Sequence, residues 1–454
     1  MSVRVITSLL IILFFIILLF NLCINPVIEG FNIKKELEKE VDETDSLTRP
    51  DDREMVTNIK PHMDDYTGII HVGGLGPCNY TTIQSGVNAA SSGYIVLVHP
   101  GVYKEHVVIN KSITLSGVDR DTTVIDAEYS GIPLTINTSG VVISSLSTTK
   151  SSSHGIHLSL VSNASINDCR CYSNNMYGIY VYQSSGCVIR DSYLHDNKKY
   201  GLYLQSSPRC RVEGCFIHDN DNPSYHEHGV VVNNCDETVI INSISYNGYY
   251  GFALYYSDNC FLSSCVSYNH AGYGFHLLFS DKNIMRNCTA YNTTGFAFFI
   301  EHSSFNMLEH CVAHDASCGI MLYNQANNNT INYCSVYNTR WEGFYIRSYC
   351  TMNIIKNSES YQNNEGISVF IDSNNNLIYK NNFFDNGNNA YDNGFNRWDN
   401  GQIGNYYDDY NGVDNDGDGI GDTPYSIPGG LNQDRYPVIN MILDDLNKKD
   451  LKAV

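Results

Sequence analysis

From residue 155 onward the hydrophobic positions come in short bursts separated by Asn, Ser and Gly. A Gly followed by an apolar, any and another apolar residue stands at Gly155, Gly178, Gly201, Gly229, Gly251, Gly274, Gly295, Gly319, Gly343, Gly366 and Gly394, at spacings of 21–28 residues. A second column keeps the same period: Ile166, Ile189, Val212, Ile240, Leu262, Met285, Leu308, Ile331, Ile355 and Ile378. Three residues after each comes a small or polar one, Cys169, Ser192, Cys215, Ser243, Cys265, Cys288, Cys311, Cys334, Ser358 and Asn381. Alternating segments of two to five residues at a period near 23 signal a solenoid rather than globular domains. A leucine-rich repeat has a similar period but needs a Leu-rich consensus, and Leu does not dominate here. The pattern predicts an all-β chain, a right-handed parallel β-helix with about 23 residues per coil, each coil stacking on the last. One further column, Cys187, Cys210, Thr238, Cys260, Asn283, Asn306, Asn329, Asn353 and Asn376, predicts a structural ladder of side-chain amides in its second half.

Six residues after each apolar landmark stands a ring: Tyr172, His195, His218, Tyr246, Tyr268, Tyr291, His314, Tyr337, Tyr361 and Phe384. Stacked rings flanked by amides and carboxylates fit a sugar platform, with Tyr246, Tyr268, Tyr291, Tyr337 and Tyr361 as carbohydrate-binding residues. They fit equally a ladder that ties coils together. The 28-residue coil between Gly201 and Gly229 holds His226, Glu227 and His228, with His218 nearby. Extra residues in a solenoid project from one face, and these side chains suit a metal or a general base. Glu301-His302 and Asp372 are candidates of the same kind. Cys265, Cys288, Cys311 and Cys334 share one position in four successive coils, where Ser and Asn also occur. That exchange favours small buried thiols over a metal or redox ladder.

The first residues differ. Val5–Phe20 is an apolar run behind Arg4, so residues 1–24 read as a signal peptide or signal anchor, with membrane attachment if uncleaved. Residues 25–66 are charged and unpatterned and read as a stalk. The solenoid then occupies 67–400, a C-terminal segment 401–440 and a tail 441–454. Lys and Arg number 28 against 48 Asp and Glu, a net charge of −20 that argues against a nucleic-acid partner. Sequons at Asn79, Asn110, Asn137, Asn163, Asn287, Asn292 and Asn328 suit a glycosylated extracytoplasmic protein.

In the C-terminal segment, Asp414, Asp416, Asp418 and Asp422 alternate with glycines, and the Ile420 carbonyl falls between them. These oxygens follow the order of a calcium loop. Tyr425 replaces the final bidentate Glu, so the loop is not an EF-hand but predicts a structural Ca²⁺ site.

The chain resembles the NosD-like family of right-handed parallel β-helix proteins, often found on archaeal surfaces. The resemblance rests on Tyr80-Thr81-Thr82-Ile83-Gln84 and a short capping helix, on Val96–Tyr103 and Ile109–Ile113, and on Gly404–Tyr410, Thr423-Pro424-Tyr425 and Arg435-Tyr436-Pro437. Tyr407 stands where the family has Trp. The resemblance implies the β-helix fold. It also implies copper as a candidate cofactor, because namesake members are linked to copper-site maturation, while other relatives act on or bind carbohydrate. Three functions remain open: a cell-surface β-helix protein binding a polysaccharide or surface glycan, a polysaccharide lyase, epimerase or hydrolase, and a metal-delivery protein.

Overall fold

The computed structural model describes residues 68–442 apart from 76–78, 221–227 and 371. The chain is a parallel β-solenoid. Its first strand, β1 (Ile69–Val72), leads into a short helix, α1 (Ile83–Ala89), and then into β2 (Ile95–Val98) beside β1. Thr82 caps α1 by accepting the Ser85 N–H, and the Glu105 carboxylate takes the free N–H groups of Ile83 and Gln84. Ile83 and Val87 of α1 join Val72 and Val96 in the core, so the helix covers the first coil as expected of a cap.

Each later coil adds one strand to a 14-stranded sheet running from β1 to Leu377–Tyr379. The apolar landmarks form its register: Ile166 pairs with Ile189, then Val212, Ile240, Leu262, Met285, Leu308, Ile331, Ile355 and Ile378. All ten are at most 1% exposed and stack in one continuous core. Between this strand and the next, the chain turns on one residue in the left-handed region. Asp168, Asp191, Gly214, Asn242, Ser264 and Asn287 hold this corner with φ of 50–61°. Such a corner favours Gly, Asn, Asp and Ser, which explains a polar surface poor in Lys and Glu.

Two further strand stacks complete each coil. One contains Arg170–Tyr172, Tyr193–His195 and Phe216–His218; the other contains Ile156–Ser159, Ile179–Tyr182 and Leu202–Gln205. The Gly column opens the latter. A Cβ on Gly155 or Gly178 would lie 2.7 or 2.6 Å from the carbonyl oxygen of the next coil's glycine, so close approach of coils selects Gly there. Two expected members belong elsewhere. Phe298 pairs with Phe275, so Ala297 holds the place expected for Gly295, which lies against Gly272 instead. Ala390 pairs with Ile367, so Asn389 stands where Gly394 was expected.

The Asn ladder forms as predicted. Asn329 accepts the Asn306 N–H at 2.9 Å through Oδ1, and Asn353 and Asn376 repeat the bond. All 13 described cysteines are free and buried, and burial pushes Cys171 and Cys215 up to about 12. Their thiols donate to backbone, as Cys311 Sγ does to the Met285 carbonyl at 3.5 Å. Cys23 and Cys78 lie outside the described residues, as do residues 1–67 and the signal and stalk expected there.

Candidate functional site

Every interior position is occupied by core, so chemistry must sit on the outward columns. The expected ring column forms without a break. Tyr172 through Phe384 stack with centroids 4.7–5.5 Å apart and planes within 13° of parallel. Their faces therefore cover one another, and the rings turn edges to solvent. The polar rail beside them is also self-satisfied: His218 Nδ1 lies 2.7 Å from Asp219 Oδ2, Asn247 Nδ2 donates to Asp219 Oδ1 at 2.9 Å, and Asn292 to Asn269 at 2.6 Å. A pyranose stacked on a ring face, the reason for choosing Tyr246, Tyr268, Tyr291, Tyr337 and Tyr361, finds no free face along this ladder.

A second aromatic surface lies on the strands after the Gly column. Its first wall is the residue just before each glycine: His154, Tyr177, Tyr200, His228, Tyr250 and Tyr273, then Phe296, stacked at 4.4–5.2 Å. Cys318 follows Phe296, and Glu342, Glu365 and Asn388 hold this wall in later coils. The floor is the residue two after each glycine, including His157, Tyr180, Tyr203, His276, Phe299, Met321 and Tyr345. The second wall contains Tyr182, Gln205, Asn233, Tyr255, Glu301, Tyr323 and Arg347. Floor rings cross the wall rings, with Tyr203 at 71° to Tyr177 and 81° to Tyr200. Tyr180 and Tyr203 are partly exposed, whereas Phe299 and Met321 are buried in a small apolar cluster separate from the core. The surface is thus a groove of rings, hydroxyls and amides that is open at Tyr180 and Tyr203 and filled where the floor residues Val231, Ala253, His276, Phe299 and Met321 are at most 5% exposed.

Its charged groups are few. His276 lies on the floor, 5% exposed, edge-to-face with Tyr250, Tyr255 and Tyr273 and stacked on Phe299 at 5.0 Å. Its Nε2 is 3.7 Å from Glu301 Oε2, and Asn324 Nδ2 holds Glu301 Oε1 at 3.0 Å. The neighbouring His276, and then the Asn324 bond, keep the Glu301 carboxyl below its ordinary range. Burial lowers His154 to about 3, so it stays neutral. Burial, and then the neighbouring Glu365, raise Glu342. Arg347 lies across Tyr323 and donates to Tyr345 Oη at 2.8 Å.

The other expected candidates separate. His218 belongs to the ring ladder and His228 to the groove wall, while His226 and Glu227 lie outside the described residues. Asp414, Asp416 and Asp418 do converge, with one oxygen of each within 4.8 Å of the others. Asp414 also accepts the N–H groups of Gly417 and Gly419, and these bonds hold its carboxyl below the usual range. Asp422 turns away to Asn415, whose N–H it accepts at 2.8 Å, because the chain returns there to Val413. Ile420 gives its N–H to Asp418.

Comparison with known proteins supports the architecture. Residues 217–412 match the family described as periplasmic copper-binding protein (NosD), and residues 120–225 match the right handed beta helix region. Over residues 217–412 the solenoid is similar to NosD. No curated protein matches the chain. Similar solved structures include the A-module of mannuronan C-5 epimerase AlgE4 from Azotobacter vinelandii, 16% identical, covering 63% of this chain and 92% of that one, with a TM-score of 0.44. The Dettilon tailspike protein is 13% identical over 72% of this chain and 68% of that one, with a TM-score of 0.47. An α-1,3-glucanase from Streptomyces thermodiastaticus is 11% identical over 69% and 66%, with a TM-score of 0.44.

The NosD-like match raises copper as a ligand, and the side chains can be tested for it. Copper favours nitrogen and sulfur donors. Among the described residues, the converging donor set is the all-oxygen Asp414, Asp416 and Asp418, while the thiols are buried inside the coils. That set suits a hard cation and does not fit copper.

The sequence reading missed the groove. Its signal was present in part: rings stand one residue before the six Gly landmarks from Gly155 to Gly274, and two residues after Gly155, Gly178, Gly201, Gly274 and Gly343.

Proposed function

We propose that this NosD-like protein is an extracytoplasmic glycan-binding protein, and that a polysaccharide lies along the ring-lined groove. The observation carrying this reading is the groove itself. Rings with polar tips line its first coils at Tyr177, Tyr180, Tyr182, Tyr200 and Tyr203, so the apolar patches and the hydroxyls of a sugar chain both find partners there. The backbone beside it adds support. Tyr256, Phe279 and His302 occupy left-handed corners next to the second wall, with φ of 51°, 49° and 48°. Tyr256 and Phe279 are 56% and 44% exposed, and such residues strain this conformation where Asn would not. The rings also stack on one another, Tyr256 on Phe279 at 5.2 Å and Phe279 on His302 at 4.7 Å, and that stacking offsets part of the cost.

Ca²⁺ at Asp414, Asp416 and Asp418 is part of the proposal, as a brace for the C-terminal segment. Attachment to the cell surface through residues 1–24 is also part of it. No helix among the described residues is long and apolar enough to cross a membrane.

The test is affinity electrophoresis of the full chain through gels containing different polysaccharides. One or more should retard it. Tyr180→Ala with Tyr203→Ala should abolish most of the retardation, while Tyr268→Ala with Tyr291→Ala should leave it. Equal loss from both pairs, or no retardation by any polysaccharide, refutes the groove reading.

A further inference from the structure

The first wall of the groove leads to a cleft at the C-terminal end of the solenoid. Glu342, Glu365 and Asn388 succeed one another in register, and Asn388 also lines this cleft of about 280 Å³. The volume lies just below the roughly 300–1,000 Å³ usual for ligand clefts, room for one sugar ring rather than several.

The polar groups of the lining are Asn386, Asn388 and Asn389 from the last coils and Asp408, Asp409 and Tyr425 from the C-terminal segment. They are fixed from behind. Asn389, 5% exposed, donates to Asp408 Oδ1 at 2.7 Å and Asp409 Oδ1 at 2.9 Å, and accepts from Asn386 Nδ2 at 3.1 Å. Tyr425 Oη donates to Asp409 at 3.0 Å, and its ring stacks on buried Tyr407 at 3.9 Å. The Asp385 N–H meets Asp408 Oδ2 at 2.8 Å. A carboxylate offers about four lone-pair directions. These bonds occupy some and leave others for a ligand, at positions the network holds still. Among the described residues, no Lys or Arg lines the cleft. The site therefore accepts hydrogen bonds from a ligand and offers no cation to an anionic one, in a protein already at −20.

We infer that this cleft binds one uncharged hexose unit of the glycan, with vicinal hydroxyls donating to Asp408 and Asp409, and that the protein selects neutral polysaccharides over uronic-acid polymers. The inference rests on the groove reading and names its substrate class.

Saturation-transfer NMR on the full chain tests it, with methyl glycosides of glucose, galactose, mannose and glucuronic acid as probes. At least one neutral glycoside should receive saturation, and the glucuronoside none. Asp409→Asn should weaken the neutral glycoside about tenfold or more, as loss of a hydrogen bond to a charged group does. Asn388→Ala, at an exposed position where folding is not at issue, should weaken it severalfold. Tyr203→Ala should leave the monosaccharide signal intact while weakening the polysaccharide. Glucuronoside binding at neutral-sugar strength overturns the inference. So does binding by no neutral glycoside, or neutral binding indifferent to both cleft variants. If any of these occurs while groove variants still abolish gel retardation, the cleft inference fails and the groove reading stands. A signal that requires Ca²⁺ and extends to the glucuronoside shows the carboxylates holding a cation, and also overturns it.

Discussion

Replacing Asn329 by Ala should destabilise the solenoid by about 3–5 kcal/mol, although the substitution removes no apolar contact. Asn329 is 1% exposed and makes four bonds. Its Oδ1 accepts the Asn306 N–H at 2.9 Å and Asn306 Nδ2 at 3.1 Å. Its Nδ2 donates to the Ser303 carbonyl at 3.0 Å and to Asn353 Oδ1 at 3.1 Å. Asn353 Oδ1 keeps a second donor, the Asn329 backbone N–H at 2.8 Å. Truncation thus strands three groups: the Asn306 N–H, the Asn306 amide and the Ser303 carbonyl. Each stranded buried group costs about 1–3 kcal/mol. The low end applies, because the lost amide leaves space of about one water.

The chain contains its own control. Earlier in the same column, Cys210 Sγ donates to the Ser184 carbonyl at 3.5 Å, the bond Asn329 Nδ2 makes to Ser303. Asn329→Cys should therefore restore one of the three partners weakly and cost about 2–3 kcal/mol. Urea unfolding gives the totals, and hydrogen exchange at the Asn306 amide locates the damage. A cost below about 1 kcal/mol for Ala, or Cys no milder than Ala, refutes the argument that the ladder is held by amide bonding.

Three further outcomes are expected. Replacing Tyr268, Tyr291 and Tyr337 together by Ala should lower Tm by several degrees, at about 0.5–1.5 kcal/mol per ring pair, without changing gel retardation; the reverse pattern makes the ladder a binding surface. Chelation should expose residues 401–440 to protease and remove about 2.7 kcal/mol where Ca²⁺ stood at a hundredfold excess over Kd, and Asp416→Ala should abolish that sensitivity. Burial raises Asp434 to about 7, so the folded state keeps its proton to higher pH than the unfolded chain. Its contribution is complete below about pH 4 and is lost as pH rises through about 7; protease protection of residues 401–440 should decline across that window and not recover above it.

What was legible in the sequence follows from what one coil requires of each position. Ile189 or Leu308 must be apolar because it faces the same interior in every coil, so period and register stand out. The ladder was visible for the same reason. Its meaning was not, because spacing reports which rings are neighbours and not how their planes lie. Gly295 and Gly394 misled because a glycine fits both the close approach between coils and the ordinary turns around it. Ala297 tolerates the former place, where a larger side chain would strike the next coil. The loop aspartates showed the opposite limit. Asp414, Asp416 and Asp418 converge through local turns, but Asp422 is drawn off by Asn415, a choice made by the path of the chain after the loop.

The groove escaped notice because it belongs to no single column. A wall ring before a glycine and a floor ring two residues after it are separated by the glycine and one interior residue, and they meet side by side, as Tyr177 and Tyr180 do at 5.4 Å. Either column alone reads as another ladder. Together they differ from Tyr172–Phe384 in one respect that matters for binding. The ladder rings lie parallel and satisfy one another, so a sugar has only edges to meet. Within each groove column the rings stack as well, Tyr177 on Tyr200 at 5.1 Å and Tyr180 on Tyr203 at 5.3 Å, but the two columns cross, with Tyr203 at 71° and 81° to its wall neighbours, so ring edges of two orientations meet in the coils that carry both. The crossing recurs where wall and floor both carry rings, at Tyr177 with Tyr180, Tyr200 with Tyr203, Tyr273 with His276 and Phe296 with Phe299. The proposed ligand, an extended polymer, suits such a surface because it too presents the same groups again at each step along its length.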